Sequence, residues 1–381
     1  MLATRLRTLA ALGPGNLLRV LSYRLGLRLG IHKAQRISAT ICAGDAFGPA
    51  RLEPIAGVAP PRAWTGEGLL FGRYPLALGA APPAWTSDPL AAAEGAEAHP
   101  APLVDWWRIG DFAGGDIKRI WELSRFDWVV AFAQQARAGQ PAALVRLNTW
   151  LADWALANPP YLGPNWKCAQ EASIRLLHLA LAARLLGQVS APSPALVSLI
   201  LAHVQRILPT LSYARAQDNN HATSEAAALF VAGAWLAEAG HADGVALRRQ
   251  GRDLIERHTA HLFAADGSFS QYSLNYHRLA LDTLSLAELW RRDLGLEPFS
   301  TRFHQRAGAA TQWLYAMVDP ASGDAPNLGA NDGASLLALT DCAYRDYRPA
   351  VQLAAALFCA ARAYPSGAWD AAPGWLDVAI P

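Results

Sequence analysis

Four short stretches hold the residues best suited to chemistry, because each mixes amide, imidazole, phenol or carboxylate side chains. They are residues 165–171, 217–221, 271–278 and 327–333. Each is expected at the start of a helix. If alternate helix ends face one rim of the same body, the four stretches converge on one cleft. Such a cleft could bind a polar ligand and transfer protons.

Taken singly, these residues have ordinary structural explanations. Asn220 is a good N-cap for a helix that begins at His221. His221 and His277 could be half-buried histidines, and Tyr276 could be a core aromatic residue whose hydroxyl is satisfied. Asn331-Asp332-Gly333 is typical of a turn. The hypothesis of a functional site therefore depends on their joint occurrence.

The elements that must position these residues are helices. Asp116 can cap a helix whose apolar residues recur at helical spacing through Val129. Further helices are predicted at about 143–157, 168–186, 193–214, 221–239, 243–263, 277–292, 300–317, 333–343 and 349–363. Glycine, proline and asparagine separate them. The pattern predicts an all-α body over 116–375 and leaves bundle, solenoid and toroid open.

Two segments precede this body. Residues 46–115 are rich in Gly, Pro and Trp, which indicates an irregular wrapping segment with a few short strands. Residues 1–45 form a basic helical segment, since no acidic residue occurs before Asp45, while Arg5, Arg7 and other cationic residues alternate with leucines. A solvated helix packed on the body is favoured over membrane-surface or polyanion contact.

The amino-acid composition limits which classes of protein the chain can belong to. The chain has 381 residues, of which 52% are apolar and 17% charged, so it can bury a large core. Its net charge of +2 gives no case for nucleic acid as a partner. No transmembrane span and no clear signal peptide are expected. The four separated cysteines indicate buried free thiols, neither a zinc site nor a disulfide framework. No metal and no cofactor are predicted.

An ordered series of motifs resembles the heparinase II/III-like polysaccharide lyases of the alginate-lyase-like superfamily. The landmarks are 116–125, 158–175 with Gly163-Pro164-Asn165-Trp166, Asn219-Asn220-His221, Asp266-Gly267 with Tyr276-His277, and 327–333. They cover roughly residues 16–375. The resemblance implies an incomplete (α/α) toroid of about ten helices. It also implies a C-terminal β-sandwich that supplies a catalytic histidine and for which this sequence offers no counterpart.

The resemblance further implies β-elimination in a uronic-acid polysaccharide. That reaction needs neutralisation of the C5 carboxylate, a base for the C5 proton and an acid for the leaving oxygen. Asn220 and His221 would hold the carboxylate, and Tyr276 would be the base, the acid, or both. A phenol ordinarily titrates near ~10, so a Tyr276 base needs cationic or hydrogen-bond-donating neighbours.

The remaining site residues follow from the same resemblance. His277, Arg278 and Arg215 are the candidate neighbours of the Tyr276 hydroxyl. Tyr272, one turn earlier, replaces Tyr276 if the match is shifted by a turn. Four further residues would line the cleft and position sugar hydroxyls. They are Trp166, Gln170, Glu171 and Asn331.

Two other functions stay open. The chain could be a carbohydrate-binding or exopolysaccharide-biosynthesis accessory protein that keeps the groove without competent chemistry. A glycoside hydrolase would need two carboxylates about 5 to 9.5 Å apart, for which Glu171, Asp218 and Asp332 are candidates. The resemblance implies a periplasmic protein, whereas the missing export signal leaves the cytoplasm open. The particular polysaccharide and the oligomeric state do not follow from the sequence.

Overall fold

The chain is described by a computed structural model that covers residues 2–91, 94–97, 99–112 and 115–381, with side chains from residue 13 onward. Arg5 and Arg7 of the predicted basic segment therefore lie outside the described side chains. The long helix α1, Leu2–Arg28, is kinked at Gly13. One antiparallel hairpin, β1 (Glu67–Leu70) with β2 (Tyr74–Ala77), follows in the wrapping segment, as expected for an irregular stretch with short strands.

The helical body begins at residue 118. Its helices are α2 Lys118–Trp121, α3 Asp127–Arg137, α4 Pro141–Ala157, α5 Ala169–Leu185, α6 Pro194–Ile207, α7 Leu211–Arg215, α8 Asn220–Glu238, α9 Gly244–Leu262, α10 Leu274–Asp293, α11 Thr301–Met317, α12 Arg348–Ala354 and α13 Ala371–Trp375. Serine side chains cap three of them. Ser193, Ser273 and Ser300 each accept a hydrogen bond from the backbone N–H three residues later.

Contacts between helices divide the body into an inner and an outer layer. The inner helices α3, α5, α8, α10 and α12 contact one another in that order, and each also packs against the outer helix that follows it. α5, α8 and α10 are buried on almost every side, whereas the outer helices bury one stripe. This arrangement is the predicted all-α fold, an incomplete (α/α) toroid.

Helices α8 and α9 are the most closely packed pair of the described helices, because glycines lie where their backbones meet. A Cβ atom added to Gly233 would lie 2.1 Å from the backbone nitrogen of Arg248. A Cβ added to Gly251 would lie 2.2 Å from that of Phe230. Only residues without a side chain allow the two backbones to approach so closely. The start of α8 is thus fixed against a rigid partner.

Four local predictions are wrong. Residues 333–343 form a loop, because buried side chains of the body bind its carbonyl groups: His178 Nε2 lies 2.8 Å from the Leu336 oxygen. The helix predicted from Asp116 is divided at Phe126, whose φ of 72° is left-handed. The last predicted helix ends at Cys359 in a π-helical turn. The cysteines are free, but Cys42 is exposed and the other three are only half-buried.

One helical stretch of the described residues, Pro194–Arg215, is long and apolar enough by composition to cross a membrane. Of its most apolar window, 61% is buried inside the protein. The stretch comprises α6 and α7, and α6 packs on the inner helices α5 and α8. A mostly buried helix of a large domain passes the same test of length and composition.

Candidate active site

A cavity of about 530 Å³ opens at the starts of α5, α8 and α10. Five of the predicted site residues line it, namely Gln170, Glu171, Asn220, His221 and Tyr276. They come from three separate helix starts. The structure therefore brings the phenol, the imidazole and the amide into one cavity, as the hypothesis of converging helix ends requires.

The first wall of the cavity is the start of α8. Asn219 is its N-cap, since its Oδ1 accepts a hydrogen bond of 3.0 Å from the His221 backbone N–H. Asn220 is therefore not the cap, and in the described part of the chain its side-chain amide makes no hydrogen bond. Asn220 itself is 3% exposed and held through its backbone N–H, which donates to Gln271 Oε1 at 3.2 Å. Its amide is free to meet a ligand.

His221 shares this wall with a buried carboxylate. Its Nδ1 lies 3.7 Å from Glu225 Oε1, one helical turn further along α8. Burial raises the pKa of Glu225, and the neighbouring His221 opposes that rise. The second oxygen of Glu225 is buried and has no partner among the described residues. The i,i+4 spacing of the pair is visible in the sequence, but that spacing is common on helices and does not by itself mark Glu225 as a site residue.

The second wall is the start of α10, and a loop covers it. The Tyr276 hydroxyl donates a hydrogen bond of 2.8 Å to Asp332 Oδ2. Ser273 Oγ donates to the Ala330 carbonyl at 2.6 Å, and the Leu274 N–H donates to that of Leu328 at 3.1 Å. These bonds hold the loop 327–333, which is not followed by a helix, against α10. Asp332 is thus fixed beside the phenol.

The environment of Tyr276 favours its protonated form. Burial raises the pKa of Tyr276 well above its ordinary value, and the negative charge and hydrogen bond of Asp332 raise it further. Arg125 acts in the opposite direction but does not cancel the rise. The phenol therefore remains a hydrogen-bond donor throughout the neutral pH range.

A buried ion network forms part of the cavity wall. Arg125, whose side chain is 3% exposed, donates from Nε to Glu171 Oε2 at 2.9 Å and from one terminal nitrogen to Glu122 Oε2 at 2.8 Å. Burial raises the pKa of Glu122 to about 8, although Arg125 lowers it. Glu171 is thereby held by a cation rather than left free. Next to it, Gln170 donates to Ser224 Oγ at 3.0 Å.

Arg206 is a cationic residue of the cavity that gives no signal in the sequence. It is 1% exposed, donates to the Trp166 carbonyl at 2.6 Å and places its guanidinium 3.7 Å from the centre of the Trp106 ring. Burial lowers its pKa. Because Trp106 belongs to the wrapping segment, that segment forms part of the cavity.

Three predicted residues lie buried behind the walls instead of in the cavity. The Trp166 ring is fully buried, and its Nε1 donates to the Asn158 carbonyl at 3.0 Å. His277 stacks on Trp313 with its Nε2 2.9 Å from the Ala310 oxygen. Arg278 donates to Asn275 Oδ1 at 3.0 Å. None of the three is placed beside the Tyr276 hydroxyl in the described structure.

The other three lie toward solvent. Tyr272 is 75% exposed, and Arg215 is exposed at the end of α7. Asn331 is exposed as well, and its Oδ1 accepts a hydrogen bond of 2.6 Å from the Tyr344 hydroxyl. These residues surround the starts of α8 and α10 without lining the cavity.

A sequence comparison defines the class of protein. The family model described as heparinase II/III N-terminus matches residues 105–346, so the chain belongs to that family. No curated protein matches the chain by sequence.

Solved structures of two lyases are similar to parts of the chain. Heparinase III, the BT4657 gene product, is 19% identical with a TM-score of 0.42, and the match covers 57% of this chain and 37% of that one. Heparan sulfate lyase HepC from Pedobacter heparinus is 23% identical with a TM-score of 0.38, covering 61% of this chain and 37% of that one. The chain thus spans little more than a third of the length of either lyase.

Proposed function

We propose that this chain is the helical domain of a polysaccharide lyase, which cleaves a uronic-acid-containing acidic polysaccharide by β-elimination. One observation carries the proposal: Asn220, His221 and Tyr276, from two different helix starts, line the same cavity. Membership of the heparinase II/III N-terminus family supports it. The cavity volume of about 530 Å³ suits a short stretch of a sugar chain.

The first requirement of the reaction is that the C5 carboxylate of the uronate be neutralised. The Asn220 amide has no other hydrogen bond in the described structure, so it can donate to that carboxylate. His221 stands next to it on α8. A hydrogen bond from the Asn220 amide would strengthen as negative charge develops on the carboxylate in the transition state.

The second requirement is a pair of proton carriers. A base removes the C5 proton, the C4–C5 double bond forms, and the electrons of the C4–O4 bond leave with O4. Tyr276 is proposed to protonate that oxygen, since Asp332 keeps the phenol protonated. His221, held near Glu225, is the cavity's imidazole and the candidate base. Asn220 then holds the carboxylate alone or with a second donor.

The other predicted residues are proposed in two groups. Gln170 and Glu171 line the cavity and can bind sugar hydroxyl groups. The residues of the second group stabilise the cavity walls, either from the buried interior or from the exposed surface around the cavity. Its members are Trp166, Arg215, Tyr272, His277, Arg278 and Asn331. Two further cationic residues of the lining, Arg24 and Arg206, form no salt bridge among the described residues and would offset the charge of an acidic polymer.

A binding protein without catalysis is the second candidate, and the Tyr276–Asp332 hydrogen bond favours it. That bond and burial raise the pKa of Tyr276, which makes Tyr276 a poor base at neutral pH. A groove of this kind would still hold an acidic sugar through Asn220. Such a chain would serve exopolysaccharide biosynthesis as an accessory protein.

The purified full chain, incubated with heparan sulfate, alginate, hyaluronan and bacterial exopolysaccharides, separates the candidates. A lyase leaves a 4,5-unsaturated uronate that absorbs in the ultraviolet. A hydrolase releases reducing ends without that absorbance, and a binding protein releases heat in a calorimeter without either product. Binding of a uronate polymer without ultraviolet absorbance would overturn the proposed lyase in favour of the accessory protein.

A further inference from the structure

Helix α1 packs on the body through its polar and aromatic side. Asn16 Nδ2 donates to Asp218 Oδ2 at 2.8 Å, and the Tyr23 ring stacks on Tyr213 with 4.2 Å between centroids. Gly26, one turn further, is buried against His32. Contacts at three points along the helix thereby fix which side of α1 faces the protein.

The opposite side of α1 is apolar and open to solvent. Five large apolar side chains are between 53% and 68% exposed here: three on the helix at spacings of three and four residues, and two just past its last residue, Arg28. We call these residues the apolar arc. They are Leu18, Leu21, Leu25, Leu29 and Ile31. An ordinary surface helix turns its leucines toward the core of the protein. In α1 these leucines face solvent instead.

Positive charge surrounds the apolar arc. Arg28, Lys33 and Arg36 are exposed, and none of the three forms a salt bridge within the part of the chain that the structure describes. The sequence has no acidic residue before Asp45. The surface therefore combines exposed leucines with uncompensated cations.

We propose that the apolar arc docks α1 on an anionic phospholipid bilayer, with the helix lying in the plane of the interface. Leucines would enter the boundary between headgroups and acyl chains, while arginine and lysine side chains reach the phosphate groups. A second copy of this chain is disfavoured as the occupant, because two copies would bring the same uncompensated positive charges together. Docking through this outer side leaves the cavity, which Tyr23 and Leu27 of α1 help to line, open.

The test is co-sedimentation of the purified full chain with phosphatidylcholine vesicles, prepared with and without phosphatidylglycerol. We expect binding to the anionic vesicles, little binding to the neutral ones, and weaker binding in high salt. The triple variant Leu18→Ser/Leu21→Ser/Leu25→Ser should lose binding, and Arg28→Glu/Lys33→Glu should weaken it by roughly tenfold or more. Both should keep the thermal unfolding midpoint of the parent, since the substituted residues are exposed.

The control variant is Val145→Ser/Leu156→Ser, which removes two side chains that are 66% and 82% exposed on α4. It should bind vesicles as the parent does. A parent chain that binds no vesicle overturns the proposal, and so does a triple variant that binds like the parent. Sedimentation velocity provides a third outcome: a parent dimer that the triple variant dissociates would assign the arc to a second copy.

Discussion

The two walls of the cavity differ in what they leave free. At the start of α8, Asn219 makes the capping bond, and the Asn220 amide is left without a partner in the described structure. At the start of α10, the Tyr276 hydroxyl is already bonded to Asp332, which a loop holds in place. The wall at α8 can donate a hydrogen bond to a charged group of the ligand, whereas the wall at α10 holds the hydroxyl proton of Tyr276. The chemistry of the site therefore depends on whether Asp332 assists or restrains Tyr276.

The largest effect is expected from Tyr276→Phe, which removes the proton carrier of the second wall. Turnover should fall by ~10²–10⁴, the usual contribution of a positioned acid or base. The ultraviolet assay of the unsaturated product measures it. Tyr74→Phe is the matched control, because Tyr74 is 45% exposed on β2 and lies outside the cavity lining. If Tyr276→Phe retained the turnover of the parent, Tyr276 would have no part in the mechanism.

Asn220→Ala tests the first wall. Loss of one donor to a developing oxyanion should lower turnover by ~10²–10³ with little loss of stability. The neighbouring Asn219→Ala should show the reverse balance. It removes the cap of α8 and lowers the free energy of unfolding by about 1 kcal/mol, with a smaller loss of turnover. An Asn220→Ala chain that turns over as fast as the parent would remove Asn220 from catalysis.

Sequence patterns predicted the walls unequally for physical reasons. The start of α8 carries local signals, because Asn219-Asn220-His221 precedes a long apolar stretch. The loop 333–343 carries misleading ones: Leu336 and Leu339 have helical spacing, yet their carbonyl groups bind His178 and Gln134 of the body. Those partners are distant in sequence, so no local pattern could reveal them.

The same limit applies to the site. That Asn220 and Tyr276 share one cavity follows from the toroid, which the family resemblance implied and periodicity could not select. The partner of Tyr276 was not foreseen, since Asp332 has the local pattern of a turn. The roles of the individual site residues stay predictions.

Gly329→Ala tests what holds the second wall together. Gly329 has a φ of +73°, and an added Cβ would lie 2.2 Å from the Tyr272 carbonyl oxygen, so the loop must move. Gly295→Ala is the control, because Gly295 also has a positive φ of +57° but nothing within 4 Å. The control should cost about 1 kcal/mol in the free energy of unfolding, and Gly329→Ala roughly twice that or more. Equal costs, measured by denaturant titration, would show that the loop is not seated on α10.

Asp332→Asn has the smallest expected effect on rate and the most informative pH dependence. The carboxylate raises the pKa of Tyr276, so its removal must lower that pKa. If Tyr276 acts as the acid, activity is lost as pH rises through its pKa, and the alkaline limb of the pH–rate profile moves to lower pH. If Tyr276 acts as the base, more phenolate forms near neutrality, and turnover there rises. We expect the first result, since the hydroxyl donates to Asp332 at 2.8 Å. A rise in neutral turnover would reverse the roles proposed for Tyr276 and His221.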